Sequence, residues 1–142
     1  EGKAVTDTQA VNLAALTNEC WETVKTNQAT LVDNTDGNIQ ADKSRLKQVF
    51  ENLFRNAVEH GQTDVTVTVG ELANGFYIED DGVGIPTDER DTVFEWGHTT
   101  TTEGTGFGLA IVAEIVDAHG WEIDVCDAAT GGTRFEVTGL ES

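Results

Sequence analysis

The chain has 142 residues, of which 26 are acidic and 8 are basic, so its formal net charge is −18. This length suits one domain with a hydrophobic core rather than two, and a hydrophobic content of 38% predicts a folded chain. Because so negative a surface repels nucleic acid and anionic lipid, we expect neither a nucleic-acid partner nor direct membrane contact.

The composition also indicates the cellular setting. The acidic residues are spread along the whole chain and lysine is scarce, which favours a cytoplasmic protein of a halophile over the alternative of an acidic interaction surface. Cys20 and Cys126 are expected to be buried thiols rather than a disulfide. There is no apolar run of about 18 residues and no signal peptide. Since the chain starts at Glu1, we expect a domain excised from a longer protein.

Hydrophobic periodicity divides the chain into helices and hairpins. The predicted elements, in chain order, are a helix over 13–26, a short strand over 29–32, a turn over 34–37, a helix over 45–60, a β-hairpin formed by 65–69 and 76–78, a long loop over 81–108, a helix over 109–118, and a second hairpin formed by 121–126 and 133–138. Asp42 and Ser44 are candidate N-caps of the second helix, and Gly61 is placed to end it. This order predicts an α+β fold with a mixed sheet and helices.

The second predicted helix has a polar face. Asn52, Asn56 and His60 follow one another at intervals of four residues, so they line up along one side of the helix. Asparagine is a mediocre helix former and amides are poor core material. This face therefore meets either solvent or a ligand.

Two glycine clusters frame the long loop, at 80–86 (DDGVGIP) and 104–109 (GTGFGL). The second opens directly into a helix, where exposed backbone N–H groups and the helix dipole favour a phosphate. The simpler alternative is that these glycines only build turns. The spacing is not that of a Rossmann fingerprint, and the chain has no P-loop motif.

Taken in order, these motifs resemble the catalytic ATP-binding domain of sensor histidine kinases, within the GHKL superfamily. The matching boxes are the N box at 52–57 (NLFRNA), the G1 box at 80–84 (DDGVG), the F box at 93–95 (VFE) and the G2 box at 104–109 (GTGFGL). The resemblance covers about residues 12–139. It implies the Bergerat fold, a two-layer α/β sandwich with a mixed β-sheet covered on one face by helices.

The resemblance also implies roles for individual residues. Asn56 binds Mg²⁺ through its amide oxygen, a hard ligand for a hard ion, and Asn52 lies beside the phosphates. Asp80 accepts a hydrogen bond from the adenine amine, and residues 86–103 form a mobile lid. His60 stands where the family often has an aromatic ring near the adenine or ribose. The implied nucleotide-binding residues are Asn52, Asn56, His60, Asp80, Gly82, Gly84, Ile85, Phe94, Thr99, Thr100, Gly104, Thr105, Gly106, Phe107, Gly108 and Leu109.

The chain departs from the family pattern in charge. Family members commonly carry a cation three residues after the Mg²⁺-binding asparagine, where this chain has Glu59, and another after the Thr-Thr pair of the lid, where it has Thr101. The second aromatic residue of the F box is replaced around Gly97-His98. With these two cations missing, neutralisation of the polyphosphate charge depends on Mg²⁺, backbone N–H groups and hydroxyls. We therefore expect weak nucleotide affinity with a steep dependence on Mg²⁺.

The residue at position 52 bears on the reaction type. ATPases and serine kinases of the superfamily usually place a glutamate four residues before the metal-binding asparagine, as general base for water or a hydroxyl. Asn52 cannot be a base, and Glu51 points about 100° away on the helix. A neutral imidazole already carries a lone pair. The pattern therefore favours phosphotransfer to histidine over ATP hydrolysis, with Asn52 and Asn56 as the catalytic residues.

The phosphoacceptor histidine is not evident in residues 1–142, which we interpret as a single catalytic domain without its dimerisation and phosphoacceptor domain. No histidine precedes His60, His98 falls in the predicted lid, and His119 is interpreted as a helix-capping residue. The expected partners are a phosphoacceptor domain and, indirectly, a response regulator. Two alternatives stay open: an ATP-dependent interaction module without phosphotransfer, and a purely structural acidic domain.

Overall fold

The computed structural model describes residues 8–24, 29–60, 64–82, 108–128 and 131–140. None of the described helices is both long and apolar enough to cross a bilayer. The helices and strands are, in chain order, β1 (Gln9–Asn12), α1 (Leu13–Thr23), β2 (Thr30–Asn34), β3 (Asn38–Ala41), α2 (Lys43–His60), β4 (Thr66–Leu72), β5 (Gly75–Asp80), α3 (Gly108–Ala118), β6 (Glu122–Asp127) and β7 (Thr133–Thr138).

Five of the described strands form one mixed sheet, in the order β2-β4-β5-β7-β6. β2 lies parallel to β4, and the other neighbouring pairs are antiparallel. Burial alternates along β5 and β7, and the buried apolar positions belong to the same core as the apolar sides of the helices. One face of the sheet is therefore covered by helices. The predicted α+β class, a mixed sheet with helices on one face, is confirmed.

Helix α2 lies at the centre of this core. Its apolar side is buried, and the ring of Phe50 packs against Phe54 at a centroid distance of 5.9 Å and against Phe76 of β5 at 5.2 Å. Asp42 is the N-cap, because its carboxylate accepts the Arg45 N–H at 3.3 Å. Ser44, the other candidate, lies inside the helix. The contact between Phe50 and Phe76 therefore holds α2 against β5, and the Asp42 cap fixes where the helix begins.

His119 does more than cap α3. Its Nδ1 lies 2.9 Å from the carbonyl oxygen of Ile115, and its Nε2 accepts the N–H of Asp42 at 3.1 Å. Since a backbone N–H can only donate, Nε2 carries no proton and Nδ1–H is the donor to Ile115. The ring also stacks on Trp121 at 4.2 Å. His119 therefore joins the end of α3 to the start of α2.

The sequence analysis missed a second, two-stranded sheet. β1 and β3 pair antiparallel, with Gln9 opposite Ala41 and Asn12 opposite Asn38. Both strands are four residues long and contain two polar and two apolar residues each, so their local pattern is weak. Other differences are at element ends: α1 ends at Thr23 and β2 continues to Asn34.

Neither cysteine takes part in a disulfide. Cys20 is buried in the core, whereas Cys126 is half-buried in β6. The prediction of two buried thiols is therefore right for Cys20 and wrong in degree for Cys126, because β6 is an outer strand of the sheet.

Candidate functional site

Asp80 is a buried carboxylate at the end of β5, with 7% of its surface exposed. Its Oδ1 accepts the N–H of Gly82 at 2.8 Å and that of Thr133 at 3.5 Å. Within the described part of the chain, Oδ2 accepts no hydrogen bond from any residue. Among the described residues, one oxygen is thus held by the backbone and the other has no donor.

Burial raises the pKa of Asp80 above the ordinary aspartate value, because an ionised carboxylate loses solvation there. The two backbone N–H groups act in the opposite direction, while the neighbouring charges of Asp81 and Glu79 add to the rise. Such a carboxylate gains from any donor that reaches its second oxygen, since that donor offsets the loss of hydration.

Gly132 lets the backbone of the β6–β7 turn approach Asp80 closely. An ideal Cβ at Gly132 would overlap the carbonyl oxygen of Asp80 and would lie 2.7 Å from its Oδ1. Thr133, which follows, is 4% exposed and begins β7. In the sequence, Gly132 and Thr133 are only the end of the connection and the start of the second strand of the predicted hairpin formed by 121–126 and 133–138. The signal that identifies Gly132 and Thr133 is the pairing of β5 with β7, in which Glu79 lies opposite Arg134.

Asn52 and Asn56 lie half-buried on consecutive turns of α2, as their spacing predicts. The amide oxygen of Asn52 accepts a hydrogen bond from Nη1 of Arg55 at 3.2 Å. Among the described residues, the side chain of Asn56 makes no hydrogen bond, and the Asn52 amide nitrogen finds no acceptor. The polar face of α2 therefore carries amide groups that form no hydrogen bond with the described residues.

The helix α3 begins at Gly108, and Leu109 packs half-buried against the core. No acidic residue stands in its first turn, so no side chain there opposes an anion at the helix N-terminus. α3 packs against α2, and α2 packs against β5. The described candidates Asn52, Asn56, Asp80 and Gly108 thus lie on elements that contact one another, and Gly82 follows β5 by two residues.

The other candidates lie outside the described residues, and the roles predicted for them stay predictions. These are Gly84, Ile85, Phe94, Thr99, Thr100, Gly104, Thr105, Gly106 and Phe107, together with the predicted lid at 86–103 and position 101. For His60 and Glu59 the description is limited to the backbone at the end of α2.

The sequence matches the family of histidine kinase-, DNA gyrase B- and HSP90-like ATPases over residues 41–140. The chain belongs to this family. It is homologous to sensor histidine kinases, so the predicted resemblance is confirmed.

Two curated relatives and two solved structures illustrate the relationship. The sensor histidine kinase ZraS of Escherichia coli K12 is 36% identical over 140 residues, covering 91% of this chain and 30% of its own length. Sporulation kinase A of Bacillus subtilis is 36% identical over 104 residues, covering 70% of this chain and 17% of its own length. The chain therefore spans less than a third of either relative.

The solved catalytic domain of histidine kinase ThkA, in a nucleotide-free form, has a TM-score of 0.78 at 25% identity. The match covers 95% of this chain and 98% of that domain. The mycobacterial sensor histidine kinase MprB has a TM-score of 0.77 at 26% identity and covers 93% and 97% of the two chains. The described fold is thus that of a histidine kinase catalytic domain.

Proposed function

We propose that this chain is the ATP-binding catalytic domain of a sensor histidine kinase, which transfers the γ-phosphate of ATP to a histidine on a separate upstream domain. The observation that carries the proposal is the Asp80 carboxylate, held through Oδ1 and open at Oδ2. Adenine presents an exocyclic N–H donor to such an oxygen, whereas guanine presents a carbonyl oxygen at the same position. The site is therefore expected to select ATP over GTP.

The polar face of α2 supports the phosphate half of this proposal. Asn56 fits a Mg²⁺ ligand, because its half-buried amide has no partner among the described residues and an amide oxygen suits a hard cation. Bound Mg²⁺ would supply positive charge to the phosphate oxygens. Asn52 would donate to a phosphate, and the backbone N–H groups of 104–108 at the start of α3 would surround the others. Residues 86–103 would close over the γ-phosphate.

Transfer to histidine rather than to water is supported by the position of Glu51. This residue lies near enough to Cys20 of α1 to contribute, after burial, to raising the pKa of that thiol to about 12. Glu51 also lies about 100° around α2 from Asn52, and the N box itself, residues 52–57, contains no carboxylate that could deprotonate a water. An imidazole acceptor needs no such base. Asn52 and Asn56 would act by positioning and charge neutralisation.

The proposal extends to the setting of the domain. Residues 1–142 would form a single catalytic domain, with the phosphoacceptor domain on the same polypeptide or on a dimer partner and a response regulator receiving the phosphate. Sensor histidine kinase relatives support this arrangement. The charge of −18 spread along the chain supports a halophile's cytoplasm as the place of action.

Calorimetry tests the proposal directly. ATP and GTP are titrated into the domain in high-KCl buffer with Mg²⁺, and then without it. We expect ATP to bind, GTP not to bind, and Asp80→Ala to abolish binding. The matched control is Asp81→Ala, since that neighbouring carboxylate is exposed and accepts the N–H of Thr66 at 2.8 Å instead. ATP affinity that is insensitive to Mg²⁺ removal would contradict the assigned role of Asn56.

A second candidate function rests on the sequence at two positions. Glu59 and Thr101 replace cations that relatives commonly carry beside the polyphosphate, which favours an ATP-dependent interaction module. A supplied phosphoacceptor domain separates the two readings. Its phosphorylation by the wild-type domain, lost with Asn56→Ala, identifies a kinase. ATP binding without any phosphorylation identifies the interaction module.

A further inference from the structure

Arg55 differs from the other described basic residues that make polar contacts, because its contact is with an amide rather than an acid. In a chain with 26 acidic residues, its guanidinium has no carboxylate within ion-pair distance among the residues described. It donates instead to the Asn52 amide oxygen at 3.2 Å. The contrasting pairs are Arg45 with Asp42 at 3.7 Å, Lys47 with Glu19 at 3.0 Å, and Arg134 with Glu79 at 3.1 Å and Glu136 at 2.7 Å.

The contact is not what helix geometry alone would favour. Glu51 stands four residues before Arg55, which is the favourable spacing for an ion pair along a helix surface. No ion pair forms between Glu51 and Arg55, and Arg55 instead donates to Asn52 one turn away. Among the described residues, the arginine charge is therefore directed toward the Asn52 amide rather than toward a carboxylate.

The hydrogen bond also determines how the Asn52 amide is turned. A guanidinium has donors and no acceptor, so the amide oxygen must be the atom that faces Arg55. The amide nitrogen then points away from Arg55, and within the described residues it has no acceptor. Asn52 thus presents two N–H donors, which is the orientation that an anion requires.

We propose that Arg55 is a positioning residue of the phosphate site. It holds Asn52 with its amide nitrogen toward the polyphosphate, and it supplies positive charge where Glu59 and Thr101 supply none. On a helix, Arg55 lies about 60° to one side of Asn52, and Asn56 about 40° to the other. The guanidinium therefore borders the face that carries both asparagines. This inference rests on the proposed ATP-binding function.

The test compares nucleotides with and without phosphates on the same variants. Arg55→Gln retains a side-chain donor but loses the charge, and Arg55→Lys retains the charge but loses the planar fork. We expect Arg55→Gln to weaken MgATP binding about tenfold, with adenosine affinity changed less than about twofold. Arg55→Lys is expected to fall between wild type and Arg55→Gln. Arg45→Gln is the matched control, since it removes the same charge from the exposed start of α2, and its affinity should match wild type.

A double-mutant cycle separates positioning from charge alone. If Arg55 acts through the amide, the effect of Arg55→Gln on MgATP affinity shrinks when Asn52 is alanine. Equal MgATP affinity of Arg55→Gln and wild type overturns the inference, and so does an equal loss of MgATP and adenosine binding, which would indicate a structural defect. Should Arg55→Gln fail to fold, Arg55→Lys decides by the same comparison. A wild-type domain that binds neither ATP nor adenosine overturns the proposed function, and this inference with it.

Discussion

Replacing Gly132 with alanine tests whether the backbone beside Asp80 must be free of a side chain. A Cβ there would overlap the Asp80 carbonyl oxygen and approach Oδ1 to 2.7 Å. The overlapping atom is main chain in a paired strand, so it cannot rotate away as the end of a flexible side chain can. The end of β5 and the start of β7 must therefore move apart.

Two contributions lower the free energy of unfolding of Gly132→Ala. Forcing an additional methyl group into a packed site costs about 1–3 kcal/mol. The movement also weakens the hydrogen bond from Thr133 N–H to Asp80 Oδ1, which at 3.5 Å is already long and is worth about 1 kcal/mol. We expect the free energy of unfolding to fall by about 3 kcal/mol, measured by urea denaturation with tryptophan fluorescence. If Asp80 has the role proposed for it, we also expect ATP affinity to fall at least about tenfold, because the displaced carboxylate would no longer reach the adenine amine.

The neighbouring glycine provides the matched control. Gly131 has φ +100°, and a Cβ there would have no atom within 4 Å. Gly131→Ala therefore costs about 1–2 kcal/mol of backbone strain without displacing Asp80. In calorimetry at a temperature where both variants are folded, only Gly132→Ala should lose ATP affinity. A Gly132→Ala domain with wild-type stability, or with unchanged ATP affinity, would refute this reasoning.

Three further changes test the charge, the core and the helix junction. Because burial raises the pKa of Asp80 in the folded state, its stabilising contribution is complete below the ordinary aspartate pKa and is lost as the pH rises through the raised folded pKa. In urea titrations, Asp80→Asn should therefore lose less stability than wild type across that pH range. An identical dependence of stability on pH in the two proteins would argue against the raised pKa. Phe50→Ala should lower the free energy of unfolding by about 3–5 kcal/mol in thermal melts, since it removes the ring packed on Phe76, and a loss below about 1 kcal/mol would contradict that packing. His119→Ala should lower the free energy of unfolding by about 1–3 kcal/mol, because the Asp42 N–H loses its acceptor, His119 Nε2. Unchanged urea midpoints would show that water replaces the imidazole as acceptor.

The elements that the sequence predicted well are those whose signal is local. α2 carries a complete apolar side with an aspartate before it, and both hairpins alternate around turn residues, so their positions follow from neighbouring residues alone. The β1–β3 sheet depends on pairing between distant parts of the chain, with Gln9 opposite Ala41. Strands of only four residues, half of them polar, are too short to show a clear periodic pattern.

The same distinction holds for the site. Asp80 and the α2 asparagines are predicted as site residues because each falls in a motif that resembles the family, and motif spacing is visible along the chain. Gly132 and Thr133 belong to no such motif, and their relation to Asp80 follows from the register of β5 with β7. Arg55 was read as part of the N box, but its bond to Asn52 depends on the side-chain conformation, which spacing does not determine.

The position of β7 within the sheet has a consequence for how the domain is made. β7 is the last strand that the structure describes, yet it lies between β5 and β6 rather than at an edge. The N–H of Thr133, which donates to Asp80 Oδ1, therefore lies 53 residues further along the chain. During synthesis, the helices and β2, β4 and β5 leave the ribosome before the Thr133 N–H can reach the Asp80 carboxylate. A chain shortened before Thr133 is thus expected to keep its N box and still bind no ATP, so that nucleotide binding reports a completed sheet.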